Sequence, residues 1–310
     1  SGLLTPFLLE ARREIGTIGN SIYPYVRFLV GSKDYGEVIF GSHFAFGLPG
    51  LLMGMATFFF WLGRKDFAHI PPRGKEYFKE TFSGENLKVI GRLSLIFSFV
   101  VIFWALFDQI GTLWQIQARS LNRVIPDGFP LFGGVEMLAA QVSAIWNPLF
   151  ILILIPIFSY FIYPFVEGFV PLSPLRKIGT GLWVMGISFI VVSLIQEQLD
   201  AGREISVFWQ IFACFILTAS EVMVSVTSLE FAYAQAPKSM KSMVMALYLL
   251  TVSLGNYLTS AVKFLIARED GSSRLPGAQE FWFWTILVFL TAFVFLFAAK
   301  KYKSQDHFHQ

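Results

Sequence analysis

Glu221 lies near the middle of Val207–Phe231, a run of roughly 25 mostly apolar residues, long enough to cross the hydrocarbon core of a bilayer. A carboxylate at that depth costs about 3 kcal/mol or more, so its expected place is a wet cavity where it performs a function. Ser225 and Ser228 follow at i+4 and i+7, which on a regular helix sets the carboxylate and two hydroxyls on one face. Such a face can hold an ammonium group through charge-assisted hydrogen bonds. The bland alternative is a glutamate kept protonated, or paired with a neighbouring helix's basic residue, for packing alone. Glu230 is expected at the membrane interface.

Asp108 stands inside a second apolar run, Leu93–Trp114, with Trp104 one turn before it on the same face. That pair suits an aromatic cavity wall beside an ion-pairing acid. No basic residue occupies the middle of any apolar run, so a partner for Asp108 is expected outside this chain. Asn147-Pro148 opens another run: proline lets the helix bend, and the amide, able to donate and accept, fits either a peptide bond or a helix contact. Gly255-Asn256 reads as a close helix crossing.

No Gly-x-Ser-x-Gly, His-Glu-x-x-His, Walker A or dinucleotide fingerprint occurs, so no enzyme is expected. The four histidines, His43, His69, His307 and His309, fall at run ends, in loops or in the tail, and no metal site is expected. Cys214 is the only cysteine, which rules out an intrachain disulfide.

These residues need helices to position them. Seven complete spans are expected, at Phe44–Leu62, Leu93–Trp114, Ala140–Phe165, Leu175–Ile195, Val207–Phe231, Val244–Leu265 and Phe281–Ala299. Hydrophobic residues make up 55% of the 310 and charged residues 15%, against about 25% charged in a soluble domain. Strand alternation is absent, which argues against a barrel. A net charge of +3 without a basic stripe excludes nucleic acid as a partner. Placing the loop after the first span in the cytoplasm puts about 14 basic residues inside and about 10 outside, and the C-terminus inside. The opening, Ser1 to Leu9, reads as the tail of a helix begun elsewhere, and Glu10–His43 as an extracellular loop with one interfacial helix.

Phe103-Trp-Ala-Leu-Phe-Asp-Gln-Ile-Gly111, Asn147-Pro-Leu-Phe with Ile155-Pro-Ile-Phe158, and Ser220-Glu-Val-Met-Val-Ser-Val-Thr-Ser-Leu-Glu-Phe-Ala-Tyr-Ala-Gln-Ala-Pro237 together resemble the proton-coupled oligopeptide transporter family. Phe44-Ala-Phe-Gly-Leu-Pro-Gly50, Phe60-Trp-Leu-Gly-Arg-Lys65 and Ser173-Pro-Leu-Arg-Lys177 are similar too. The resemblance implies an all-α major facilitator-type bundle in the cell membrane. Residues 1–92 would end the N-terminal bundle, 93–299 form the C-terminal six-helix bundle, and 300–310 a cytoplasmic tail.

It further implies proton-coupled symport of di- and tripeptides, with no cofactor beyond the proton as coupling ion. Glu221 would bind a peptide's amino terminus and Asn147 a backbone amide. Trp104, Ser225 and Tyr248 would line the cavity. Asp108 would be the acid of an extracellular gate, and both carboxylates would serve proton coupling. Substrate peptide, protons, lipid and a missing N-terminal helical bundle are the implied partners.

Tyr248 departs from the family, which usually has Trp there. Two features of some members are missing as well. Gly63–Arg92 is too short for two extra spans, and no large insertion follows the ninth. A carrier of another solute, such as nitrate or a drug, and a non-transporting membrane module remain as alternatives.

Overall fold

A computed structural model describes residues 35–67, 74, 82–126, 136–237, 240–268 and 273–302, with side chains from Gly47 onward, Glu85 excepted. The chain falls into two compact units that divide after Pro72. In the first, α1 (Tyr35–Leu62) runs into a 3-10 turn, Gly63–Lys65. It covers the expected first span but starts at Tyr35, so His43 lies within a helix rather than at its edge. Its side chains from Gly47 on are all exposed, Leu51, Phe59 and Trp61 among them. A helix apolar all round suits lipid or a bundle interior. The earlier part of Glu10–His43, the loop His69–Arg73 and the tail with His307 and His309 lie outside the described residues.

The second unit, residues 73–310, contains six helical stretches long and apolar enough to cross a membrane, which match the other expected spans. The first crossing joins α2 (Gly84–Phe107), a 3-10 turn (Asp108–Gly111) and α3 (Leu113–Arg119). The second joins α4 (Ala139–Ile157), a π-turn (Phe158–Ile162) and α5 (Tyr163–Glu167). Next come α6 (Pro174–Asp200), then α7 (Val207–Glu221) with a π-turn (Val222–Val226) and α8 (Thr227–Gln235). Two unbroken helices finish the bundle, α9 (Lys241–Ile266) and α10 (Ala278–Lys301). Local chemistry sets the starts: Ser173 Oγ accepts from the Arg176 N–H at 3.3 Å, and Pro174 fills the first helical position.

Packing runs in a ring. α6 lies between α7 and α10, α2 between α9 and α10, α4 against α7, and α8 against α9. No strand occurs among the described residues, only isolated bridges such as Asn122–Ser206. Trp284, Phe103, Phe189 and Phe295 are fully buried at the centre. The expected Gly255 crossing is present: a Cβ there would come within 2.8 Å of Ala105 N and Val101 O on α2. One turn on, Thr259 Oγ1 donates to Ala105 O at 2.9 Å.

At the end where α7 begins, a chain of amides ties the crossings together. Gln210 Nε2 donates to Trp114 O at 2.8 Å and to Gln117 Oε1 at 3.1 Å. Gln117 Nε2 donates to Val192 O and to Gln196 Oε1, both at 3.0 Å. Gln196 Nε2 reaches Asp200 Oδ1 at 2.9 Å, whose Oδ2 accepts the Ala278 N–H at 2.7 Å. Each member of this series is thereby bonded to the next, as burial favours.

Three crossings depart from the regular helices expected of them, Ala140–Phe165 through its π-turn at Phe158–Ile162. Leu93–Trp114 is not continuous, because α2 stops at Phe107 and Thr112 breaks the winding with φ −127° and ψ −85°. Gly111 and Thr112 are weak helix formers. Gln109 also turns its amide back to Ala105 O at 3.1 Å, competing with the regular ladder. Val207–Phe231 contains the other π-turn, whose wider winding shifts the phase of everything beyond Glu221.

Candidate functional site

The π-turn begins at the residue after Glu221, so the carboxylate sits on the last regular turn of α7. Glu221 Oε2 accepts a hydrogen bond from Asn147 Nδ2 at 2.9 Å. The same amide nitrogen donates to Thr218 Oγ1 at 3.1 Å, and Thr218 donates to Cys214 O at 2.8 Å. Thr218 is fully buried, while Asn147 and Glu221 are half-buried. The amide thus orients the carboxylate through one oxygen and leaves Oε1 able to accept from a second donor. A charged donor on that oxygen would form the stronger class of hydrogen bond.

Pro148 sits inside α4 directly after Asn147, and the Trp146 ring packs against Phe150 with centroids 5.6 Å apart and planes tilted by 33°, so the Asn147 turn has an aromatic flank. Trp146 Nε1 is buried without a hydrogen-bond partner.

Asp108 occupies the break between α2 and α3. Its Oδ2 is buried with no hydrogen-bond partner, and Asn256 on α9 is the polar side chain facing the carboxyl. Nearby, Trp104 Nε1 is unpartnered as well, its ring held edge-on by Phe103 at 5.3 Å and Phe107 at 5.6 Å. Asp108 is near enough to Glu221 for the two carboxylates to act on each other electrostatically. An unsatisfied buried carboxylate oxygen is costly.

Of the expected face of Glu221, Ser225 and Ser228, Ser228 is turned into the bundle past the π-turn, whereas Ser225 stays half-buried like Glu221. Ser228 is buried and its Oγ donates to Ser225 O at 3.2 Å. Tyr248 Oη donates to the same carbonyl at 3.0 Å and lies 3.3 Å from Ser228 Oγ. Tyr248 is 5% exposed, so its phenol braces the π-turn rather than presenting a free tip to a cavity.

Of the six expected residues, then, the structure joins Asn147 to Glu221 and Tyr248 to the Ser225 carbonyl, while Trp104 and Asp108 share a stretch of chain without a bond between them. Sequence reasoning missed Thr218 and Asn256. Thr218 had a signal, standing one turn before Glu221; Asn256 was set aside as part of a crossing.

Comparison with known proteins follows the same lines. The family described as the POT family matches residues 76–283. "Protein NRT1/ PTR FAMILY 8.5" of Arabidopsis thaliana is 29% identical over 220 residues, covering 66% of this chain and 36% of the plant protein. "Peptide transporter PTR2" of Saccharomyces cerevisiae is 29% identical over 181 residues, 54% of this chain and 28% of the yeast protein. The chain therefore spans well under half the length of these relatives. Among solved structures, "In meso crystal structure of the POT family transporter PepTSo" superposes with a TM-score of 0.70 at 29% identity, covering 90% of this chain and 68% of that one. "Crystal structure of auto inhibited POT family peptide transporter" gives a TM-score of 0.65 at 26% identity, over 91% and 68%.

Proposed function

The chain belongs to the POT family, a family of transporters, and from that premise we propose that it takes part in proton-coupled symport of di- and tripeptides. The observation that carries this reading is the Asn147–Glu221 pair: a carboxylate inside an apolar crossing, oriented through one oxygen by an amide. The remaining oxygen binds the amino terminus of a peptide. Trp104, Ser225 and Tyr248 shape the surrounding wall, the last two through the winding they share. Asp108, with its unpartnered oxygen, is the gate acid and pairs with a basic residue of an N-terminal bundle, residues 1–92 being the end of that bundle. Residues 93–299 are the C-terminal bundle, although α2 already begins at Gly84.

Peptide and proton bind at midplane, and the two bundles rock to expose the site to the cytoplasm, where the C-terminal tail, 300–310, lies. The proton is the only coupling ion and no cofactor is needed. A carrier of an anion such as nitrate would have no use for Glu221 in this position.

In the complete transporter, Glu221→Gln keeps the side chain's size and loses the charge that holds an ammonium. Dipeptide uptake should be abolished while expression and elution on size exclusion stay normal. Uptake at the wild-type rate would rule out this site.

A further inference from the structure

Beyond the Asn147–Glu221 pair, the same two crossings and the start of α6 line a cavity of about 300 Å³. That volume is at the lower end of small-molecule sites, which run from about 300 to 1,000 Å³. Neither Asn147 nor Glu221 lines it. Its walls include Val222, the residue after Glu221, then Thr227 and Glu230 of α8; Tyr163 and Glu167 of α5; and Lys177 of α6. Both π-turns border it, since Tyr163 and Thr227 each follow one directly.

The lining carries unused polar chemistry of both signs. Tyr163 Oη is buried without a hydrogen-bond partner; the Thr227 side chain faces it, but no bond of normal geometry closes between them. Lys177 Nζ lies 4.0 Å from the centroid of the Tyr163 ring, so a cation and a phenol stand side by side on one wall. Glu167 and Glu230, also in the lining, are exposed. A group that accepts from Tyr163 and Lys177 while donating to a carboxylate would satisfy all of them.

We infer that this cavity is a second station for a zwitterionic short peptide on its way out, the ammonium on Glu230 and Glu167, the carboxylate on Lys177, and a backbone carbonyl on the Tyr163 hydroxyl. The inference rests on the peptide reading above and adds a site to it. Glu230 is nine residues beyond Glu221, roughly 13 Å along the helix axis. A dipeptide spans about 7 Å between its ends. Its ammonium therefore cannot touch both carboxylates at once and must leave Glu221 to reach Glu230. Glu221 is the station at mid-span; Glu230 is the station near the membrane face where α8 ends.

The test uses the complete transporter in proteoliposomes, with Tyr163→Phe and Glu230→Gln, and measures the dipeptide KM separately from each membrane face. On the face where α8 ends, KM should rise about tenfold for Glu230→Gln, the effect of losing one charge-assisted hydrogen bond, and about fivefold for Tyr163→Phe, which loses a neutral one. KM on the opposite face should stay within about twofold, well inside one such bond, which also shows that the variants are folded. Vesicles made with and without phosphatidylethanolamine should agree. With an active wild type, an unchanged KM on the α8 face would overturn the station while leaving the transporter reading intact. A shift confined to phosphatidylethanolamine vesicles would also overturn it and give the cavity to a lipid headgroup. A wild type that moves no dipeptide would sink the peptide reading and this station with it.

Discussion

Each carboxylate in this bundle is defined by the partner it has or lacks. Glu221 is held by an amide 2.9 Å away, whereas Asp108 keeps one buried oxygen without any partner. The two should fail differently when neutralised. Asp108→Asn should uncouple dipeptide accumulation from the proton gradient while changing binding affinity by less than about twofold, below the effect of losing one direct hydrogen bond to the substrate. A collapse of affinity with coupling retained would move Asp108 into the substrate site. Tyr248 makes a sharper case, because its phenol is occupied. Tyr248→Phe removes only the hydroxyl and should cost about 1 kcal/mol of stability. Tyr248→Trp, the usual family residue, must also fit an indole into a buried slot and should cost about 1–3 kcal/mol. Thermal unfolding of the purified protein would rank wild type above Phe above Trp; equal melting for all three would mean that the hydroxyl braces nothing. Glu221 and Asp108 were legible in the sequence because a charge in an apolar run is an anomaly that hydropathy exposes. Their company was not. Asn147 and Glu221 are 74 positions apart, and nothing in either segment announces the bond.

Among the elements, what could be read was the existence and limits of the crossings, since length and apolarity fix them. What could not be read was their winding. Val222–Val226, apolar but for Ser225, fits an α or a π path equally, so the choice falls to Gly181 and Tyr248. A Cβ at Gly181 would sit 2.5 Å from Val224 Cγ2, and Gly181 O accepts from Ser220 Oγ at 2.7 Å. α6 thus offers the bulge both a recess and a hydrogen bond. The α2–α9 crossing is less forgiving, because the atoms facing Gly255 include backbone that cannot step aside. Gly255→Ala should force the helices apart and lower stability by about 1–3 kcal/mol, read as a fall in the thermal midpoint in detergent. An unchanged midpoint would mean that α9 slides freely on α2. The separation also carries Thr259 away from Ala105 O, so the pair Gly255→Ala with Thr259→Val should lose less than the sum of the single variants.

At the scale of the molecule, the exposed surface is dominated by side chains such as Leu152, Tyr160, Phe264 and Ile286, as expected of helices that meet lipid or another bundle. Fold class and family were legible from composition and from a few short motifs. Direction through the bilayer rests on the basic-residue balance alone. A single reporter settles it: in the complete transporter, Ser304→Cys should react with an impermeant maleimide only after the membrane is opened. Cys214 is buried and should contribute little background. Labelling of intact cells would place the tail outside and reverse every inward and outward assignment made for the cavities.

The amide chain from Gln210 through Gln117 and Gln196 to Asp200 gives this bundle an uneven compliance. At that end α3, α6, α7 and the start of α10 are cross-linked by side chains whose donors and acceptors are matched, so bending there means breaking several bonds together. Both π-turns lie toward the other end, where the wider winding leaves slack in the two crossings that carry Asn147 and Glu221. A load applied to the whole bundle would therefore be absorbed near one membrane face and transmitted undiminished at the other. The two crossings behave as levers clamped at one end and sprung at the other, and Glu221 is mounted at the transition between clamp and spring.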